Sequence, residues 1–472
     1  KSVLHYFPKY FTTKAIALYI IVLMIIPVAF SGYGMSWLWI LFGVVEVTSF
    51  FYFTNILTKS WAEYSERTFL RQLFITAFVI RVVWVVFSYF FYISMTGKMF
   101  EFEAADSIFY HESGLLGASS MRNGTFNIVE FMSGVELSDR GYPFYLSLIY
   151  YITGDSIIVT RLIKALIGAF TCILIYRLTK RIFDNPAIAR IAGILCMLMP
   201  NLIYYCGLHL KEIEMTFLII LFLERTDYVI RSQRYNFINI SLPILAASLL
   251  FFFRTVIGVT AIFSFFTALA FSSSRILGWG KRILLIVWSV ATLSYFIGGK
   301  IMTEIETVWE NKDTNQSNSM KYRSNVEGGN KFVKNLSGSV FAPMIFVIPF
   351  PTMVNTEGQE NQMLIGGGNY VKNIMAFFVM FSLFIIIKTH KWRDYLLAGS
   401  FMISYLIVIA LSKFAASERF HFPVLPLLLM FSAYGISQVD RKTKKYYLYY
   451  IVFIFIALTV WSWFKLAGRG LV

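Results

Sequence analysis

Charged side chains are scarce in this sequence. Asp, Glu, Lys and Arg make up 14% of the 472 residues, whereas hydrophobic residues make up 57%. A soluble domain carries about 25% charged residues, so this composition excludes an ordinary water-soluble protein and indicates a membrane protein. Cysteine is also rare. The three cysteines, Cys172, Cys196 and Cys206, lie in or beside apolar runs without metal-ligand spacing. They indicate small core residues and exclude a disulfide framework.

Positive charge, in contrast, is present in excess, with a formal net charge of +16. The basic residues are dispersed between apolar runs rather than gathered in one patch. In a membrane protein such charge sets the orientation and contacts anionic lipid headgroups. We therefore expect membrane lipids, and no nucleic acid, among the partners.

Thirteen apolar runs approach the length of about 20 residues that a spanning helix needs. They are 15–30, 37–53, 73–95, 157–176, 187–205, 213–223, 237–253, 256–271, 283–297, 371–387, 395–411, 422–436 and 447–464. The run 213–223 is the weakest because acidic residues flank it. The predicted fold class is all-α, a polytopic transmembrane helix bundle of about 13 spans (11–14) with two long outer loops.

The distribution of Lys and Arg predicts how these spans are oriented. With the N-terminus inside, the inner segments hold 23 of the 42 basic residues, as the positive-inside rule requires. The outer loops are then 96–156 and 298–372. The first carries eight acids against three bases, and its apolar stretch 142–152 predicts a helix on the outer membrane surface. The second contains a polar stretch, 311–335, that we expect to be flexible.

Charged residues of this topology gather at the outer ends of the spans. Carboxylates there can accept a proton, and cations can hold a phosphate. The alternative is that each is an interfacial charge without a specific role. Arg81, within the third run, needs a partner, for which we expect an ion pair.

Four short segments carry a resemblance to a known family. They are "ADSIFYH" (105–111), "GYPFYLSLIYYITGDSIIVTR" (141–161), "MPNLIYYCGLHLKEIE" (199–214) and "SERFHFPVLP" (417–426). In this order they resemble the GT-C superfamily of membrane glycosyltransferases, which use polyprenyl-phosphate sugar donors. Within it they are similar to glycosyltransferase family 39 and the dolichyl-phosphate-mannose protein mannosyltransferases. The resemblance covers residues 73–230 and 415–437.

The resemblance implies a GT-C-like fold and divides the chain. Residues 1–72 are two additional N-terminal spans, and 73–297 are the catalytic core with the first outer loop. Residues 298–372 are the second outer (periplasmic) loop, and 373–472 are the C-terminal helices. The implied location is a bacterial inner membrane, with the N-terminus cytoplasmic and the active site at the periplasmic face. The implied process is synthesis of cell-envelope polysaccharide.

The resemblance also implies an inverting glycosyltransferase in which Asp106 is the general base. Asp106 would take the proton of an acceptor hydroxyl while the lipid phosphate leaves from the opposite face of the sugar. Arg419, Arg254 and Arg161 are the candidates for binding that phosphate, in this order. The acceptor is a glycan, a lipid or a protein.

Four further residues are candidates for substrate binding. Tyr110 would lie on the same helix face as Asp106, and His111 could bond a sugar or a phosphate. Glu112 and Glu212 could hold sugar hydroxyls or a divalent cation. Their alternatives are structural: a hydrogen-bond donor for His111, a solvated acid for Glu112, and an ion pair with Lys211 for Glu212. No metal ligand set and no required cofactor is predicted, since Ala105 precedes Asp106 where a paired acid would stand.

Two other functions remain open at this point. One is an envelope polysaccharide polymerase or ligase that uses lipid-diphosphate glycans. The other is a non-enzymatic flippase or transporter of lipid-linked sugars. A polymerase of this kind should carry several arginines in a long outer loop, and a transporter should carry charges in mid-span.

Overall fold

The structure is a computed structural model. It describes residues 4–131, 140–232, 236–273, 343–356, 358–411 and 416–471, with a few single positions between 278 and 287. The described residues form helices, turns and loops, with no β-strand among them. The predicted all-helical class is therefore confirmed.

The α-helices of the described residues are numbered in chain order. The first nine are α1 (Lys9–Ala29), α2 (Trp37–Ser60), α3 (Glu66–Thr96), α4 (Ala105–Arg122), α5 (Ile128–Phe131), α6 (Gly141–Thr153), α7 (Ile157–Phe183), α8 (Pro186–Leu198) and α9 (Pro200–Tyr204). The others are α10 (Glu212–Ser232), α11 (Phe237–Phe253), α12 (Thr255–Phe271), α13 (Glu360–Leu364), α14 (Gly366–Lys388), α15 (Leu396–Leu411), α16 (Glu418–His421), α17 (Leu425–Ser437) and α18 (Arg441–Ala467). Short 3₁₀ turns cover Tyr205–Gly207, Trp392–Asp394 and Phe422–Val424.

Local chemistry explains several helix ends. The Ser65 side chain accepts the amide of Thr68 at the start of α3, and Gly97 ends that helix with a φ of 71°. Asn185 caps α8, and Asp440 forms a capping box with Thr443 at the start of α18. Each cap satisfies amides or carbonyls that a helix end leaves without partners.

Seven helical segments are long and apolar enough to cross a membrane, and an eighth would be the bent pair α8 and α9 with the 3₁₀ turn after it. The chain is thus a helical membrane protein. Twelve of the thirteen predicted runs coincide with helices, while 283–297 lies for the most part outside the described residues. Helices α11, α12 and α15 are shorter than the seven, so a count of thirteen spans stays a prediction.

Burial separates the inner helices from the peripheral ones. The most apolar window of the segment Glu418–Ser437 is 89% buried and that of α14 is 67% buried, against 28% for α2 and for α3. Helices α2 and α3 therefore leave much of their apolar surface for lipid. The stretch 142–152 falls within α6, as expected. The predicted flexible stretch 311–335 lies outside the described residues.

The loops that matter for the site meet at one end of the bundle. Helix α3 ends there, α7 and α10 begin there, and α4 and α6 pack against each other above them. We call this the site end. The opposite end, where α7 finishes near Arg181, we call the Arg181 end.

Candidate functional site

A single guanidinium joins two carboxylates at the site end. Arg419 donates through Nη1 to Asp106 Oδ2 and through Nε to Glu212 Oε1. These contacts bridge 313 and 207 residues of sequence. The Asp106 side chain is 58% exposed, whereas that of Glu212 is fully buried. The arrangement therefore has one carboxylate open to solvent and another held in the protein interior.

Helix starts position both carboxylates. Asp106 lies in the first turn of α4, and Glu212 lies in the first turn of α10. The positive end of a helix dipole favours a negative charge at this position. Arg419 lies in α16, and it reaches both acids from the side. Glu212 thus pairs with Arg419, and Lys211 adds an electrostatic interaction with the same carboxylate.

More positive charge surrounds the buried carboxylate. Arg254, between α11 and α12, and Lys211 both act electrostatically on Glu212. The Arg254 guanidinium also lies 4.8 Å from the Phe420 ring centroid, a cation–π contact. Arg419, Arg254 and Lys211 thus place positive charge around the buried Glu212 carboxylate.

Aromatic side chains lie next to Asp106. Tyr110, one turn along α4, is buried, and its ring meets the Tyr142 ring edge-on at a centroid distance of 5.2 Å. The Lys211 ammonium lies 5.7 Å from the Tyr110 ring centroid. Tyr110 thus contributes to the wall that separates Asp106 from the bundle interior.

A second group consists of His111, Tyr150, His209 and Arg161, of which His111 and Arg161 were predicted site residues. His111 Nδ1 lies 2.8 Å from the Tyr150 hydroxyl, which lies 2.9 Å from Nε2 of His209. Arg161 donates to the carbonyl of Met99 at 2.7 Å. The Arg161 side chain is fully buried, and within the described part of the chain its Nε and Nη1, like Nδ1 of His209, have no hydrogen-bond partner. The second group is therefore not a fully hydrogen-bonded network among the described residues.

Burial keeps both histidines neutral. It lowers the pKa of His209 well below the ordinary 6.5, and the neighbouring cations Arg161 and Lys164 act in the same direction. Burial also lowers the pKa of His111, against the opposing effect of Asp155 and Glu112. Neutral imidazoles can donate through one nitrogen and accept through the other, which suits the hydrogen-bonded chain through Tyr150.

A buried carboxylate connects the two groups. Glu101 accepts a hydrogen bond from the hydroxyl of Ser107, the residue after Asp106, and it interacts electrostatically with Arg161. Burial raises the pKa of Glu101, although Ser107 and Arg161 oppose the shift. Glu112, in contrast, is exposed on α4 and acts on His111 rather than on Arg419.

Sequence reasoning missed several residues of this region. Tyr150 and His209 lie in two of the quoted segments, but nothing in their spacing links them. Tyr205 donates to Glu418 at 3.2 Å, and buried Lys372 lies 3.0 Å from Nδ1 of His421. The available signal is that each is a polar residue within an apolar stretch, which indicates burial but not the partner.

The part of the chain that the structure describes contains no group of three His, Cys, Asp or Glu side chains able to hold a metal ion. A divalent cation at Glu112 or Glu212 stays a prediction. Comparison of the chain with protein-family models gave no match, and comparison with curated proteins gave none. The GT-C resemblance therefore depends on the four quoted segments.

Proposed function

We propose that this protein is an inverting glycosyltransferase that moves a sugar from a polyprenyl-phosphate donor to an acceptor hydroxyl. The observation that carries the proposal is the Arg419 guanidinium between Asp106 and Glu212. A proton acceptor and a phosphate-binding cation are the two groups that this reaction needs. Here they come from the first and the last of the four family-like segments.

In the proposed reaction, Arg419 exchanges partners. The donor phosphate takes the place of Asp106 on the guanidinium, while buried Glu212 keeps the Arg419 side chain in position. Asp106 is then free to accept the proton of the acceptor hydroxyl. The acceptor oxygen forms a bond to the anomeric carbon, the bond from that carbon to the phosphate oxygen breaks, and its electron pair leaves with the polyprenyl phosphate.

The remaining candidates have roles in binding. Arg254 and Arg161 add positive charge for the phosphate, and His111 offers a neutral hydrogen-bonding group near Arg161. Tyr110 supplies an aromatic surface beside Asp106. The proposal includes a GT-C-like bundle of about 13 spans in a bacterial inner membrane, with the N-terminus cytoplasmic and the site at the outer face.

Turnover with defined donors tests this function. The full chain in lipid nanodiscs would receive either a polyprenyl-phosphate sugar or a polyprenyl-diphosphate glycan, with candidate glycan, lipid and protein acceptors. The proposal predicts release of free polyprenyl phosphate from the first donor, and product with inverted anomeric configuration. Transfer from the diphosphate donor alone would support the polymerase or ligase function instead.

A second candidate function has one observation in its favour. One broken helix, α8 with α9, lies inside the bundle, and Asn201 of α9 donates to Asn369 of α14 at 3.1 Å. The start of α14 is further held by Glu46, which accepts the amide of Gly368 at 3.0 Å. Broken helices within the bilayer are common in transporters. Movement of an unmodified lipid-linked sugar across proteoliposomes, without chemical transfer, would support a flippase.

A further inference from the structure

The break between α8 and α9 leaves carbonyl groups without their usual donors. The two segments meet at an angle of 53°, and Met199 between them leaves the helical conformation with a ψ of 115°. In a continuous helix the carbonyl of Cys196 would accept the amide of residue 200. That residue is Pro200, which has no amide hydrogen. A buried carbonyl without a donor is costly, above all within a bilayer.

Arg81 supplies the missing donors. Its side chain is 1% exposed. Nη2 donates to the Cys196 carbonyl at 3.2 Å, and Nη1 donates to the Met197 carbonyl at 3.3 Å. Among the described residues no carboxylate forms an ion pair with Arg81, so the ion pair expected from the sequence is replaced by contacts to the carbonyls of a broken helix. Gly168 leaves room for this, since a Cβ there would lie 2.8 Å from Arg81 Nε.

The same face of α3 also holds the far end of the bent segment. Trp84, one turn from Arg81, donates through Nε1 to the carbonyl of Tyr204 at 3.0 Å. Ser88, a further turn along, packs so closely on Gly207 that a Cβ there would lie 2.4 Å from its hydroxyl. Helix α3 therefore contacts the chain on both sides of the bend, at Cys196 and Met197 before it and at Tyr204 and Gly207 after it.

We propose that Arg81 is a positioning residue for the candidate site. By capping the end of α8 it maintains the bend that brings Tyr205 to Glu418 and Glu212 to Arg419. The eight residues from Pro200 to Gly207 extend about 12 Å along a helix. Removing a 53° bend would therefore displace their end by about 10 Å, which is enough to separate Glu212 from Arg419. The link to catalysis rests on the proposed function, but the link to the bend does not.

Hydrogen exchange measured by mass spectrometry on the full chain tests the capping role. We expect Arg81→Met to accelerate exchange in 199–212 at least tenfold, while exchange in 173–183 stays unchanged. Trp84→Phe should have a smaller effect in the same region, and Trp61→Phe, at the other end of the bundle, should have none. If Arg81→Met does not fold, Gly168→Ala keeps the guanidinium but displaces it, and it should accelerate the same region. Unchanged exchange of 199–212 in folded Arg81→Met would overturn the proposal. If Gly168→Ala folds and Arg81→Met does not, unchanged exchange of 199–212 in Gly168→Ala would also overturn the proposal.

A double variant separates positioning from stability. In Arg81→Met/Pro200→Ala, the new amide can bond to the Cys196 carbonyl and continue the helix, so protection of 199–212 should return. Because the helix is then straight, Glu212 no longer reaches Arg419, and exchange in 416–422 should rise at least tenfold. Turnover should fall at least 100-fold. Protection of both segments together with full turnover would show that Arg81 does not position the site.

The two proposals fail in different ways. If the wild-type chain transfers no sugar from any polyprenyl-phosphate donor, the proposed function is wrong. The exchange of 199–212 and 416–422 in the variants still decides the role of Arg81.

Discussion

Buried charged side chains at the two ends of α7 differ in whether all their polar atoms have hydrogen-bond partners. At the Arg181 end, Arg181 donates to Asp227 at 2.7 Å and to the Glu224 carboxylate at 3.1 Å, and Arg231 donates to Asp227 at 2.7 Å. None of these four side chains has a buried polar atom without a partner. About 30 Å away along α7, at the site end, buried polar atoms of Arg161, His209, Glu212 and Glu101 have no hydrogen-bond partner among the described residues.

This difference separates stability from function. A buried polar network whose atoms are all satisfied stabilises and specifies one packing. A buried group that lacks a partner costs free energy, and such groups persist mainly at sites that bind water or a ligand. The network of Arg181, Arg231, Glu224 and Asp227 is thus fully paired within the described residues, whereas several charged or titratable residues of the site end have buried polar atoms without a protein partner there.

The largest effect should come from the exposed carboxylate of the site end. We expect Asp106→Asn to lower turnover by about 10²–10⁴-fold, because Asn has the same size but cannot take up a proton. The thermal unfolding temperature should change little, since Asp106 is more than half exposed. Steady-state release of polyprenyl phosphate measures the first quantity, and a fluorescence-monitored melt measures the second.

Two neighbouring acids serve as controls for this variant. Glu103 and Glu112 are exposed like Asp106, and neither forms an ion pair with Arg419. Glu103→Gln and Glu112→Gln should keep turnover within about threefold of wild type, because surface substitutions have small effects. A nearly active Asp106→Asn beside an inactive Glu112→Gln would move the base to another residue and contradict the assignment.

At the Arg181 end the expected effect is on stability alone. Asp227→Asn breaks a buried ion-pair network, which costs about 3 kcal/mol or somewhat less, since Arg181 keeps Glu224. Turnover per folded molecule should be unchanged. Glu66→Gln is the matched control, because its pair with Lys180 is about half exposed and contributes at most about 1 kcal/mol. A loss of turnover without a loss of stability in Asp227→Asn would contradict a purely structural role of the Arg181 end.

The sequence predicts the helices far better than it predicts the site. Apolar runs located both ends of α11 and the start of α7, because a bilayer requires continuous apolar length, whereas α7 continues seven residues beyond its run into a basic segment. The family-like segments predict that Asp106 and Arg419 act on the same donor, which requires the two side chains to lie near each other. The partners of Arg81 and His209 were not predictable, since they depend on a bend at Pro200 and on contacts between distant helices that no periodicity encodes.

The smallest effect concerns acid pH. Burial lowers the pKa of His209 below its value of 6.5 in the unfolded chain, so below pH 6.5 the unfolded state binds more protons than the folded state. Stability should fall on acidification through this window, by up to about 1.4 kcal/mol per pH unit for this one residue. Unfolding measured from pH 7.5 to pH 5 should show a shallower decrease in His209→Gln. Identical slopes in both proteins would contradict the neutral, buried state of His209.

Binding of polyprenyl phosphate tests whether Arg419 exchanges Asp106 for the donor phosphate. Dissociation constants would be measured in nanodiscs for the wild-type chain, Asp106→Asn and Arg419→Lys. We expect Asp106→Asn to bind polyprenyl phosphate at least as tightly as wild type, because its Arg419 is no longer shared with a competing carboxylate. Arg419→Lys, which cannot bridge two anions, should bind about tenfold more weakly or worse. Loss of binding in Asp106→Asn, or normal binding in Arg419→Lys, would contradict the account.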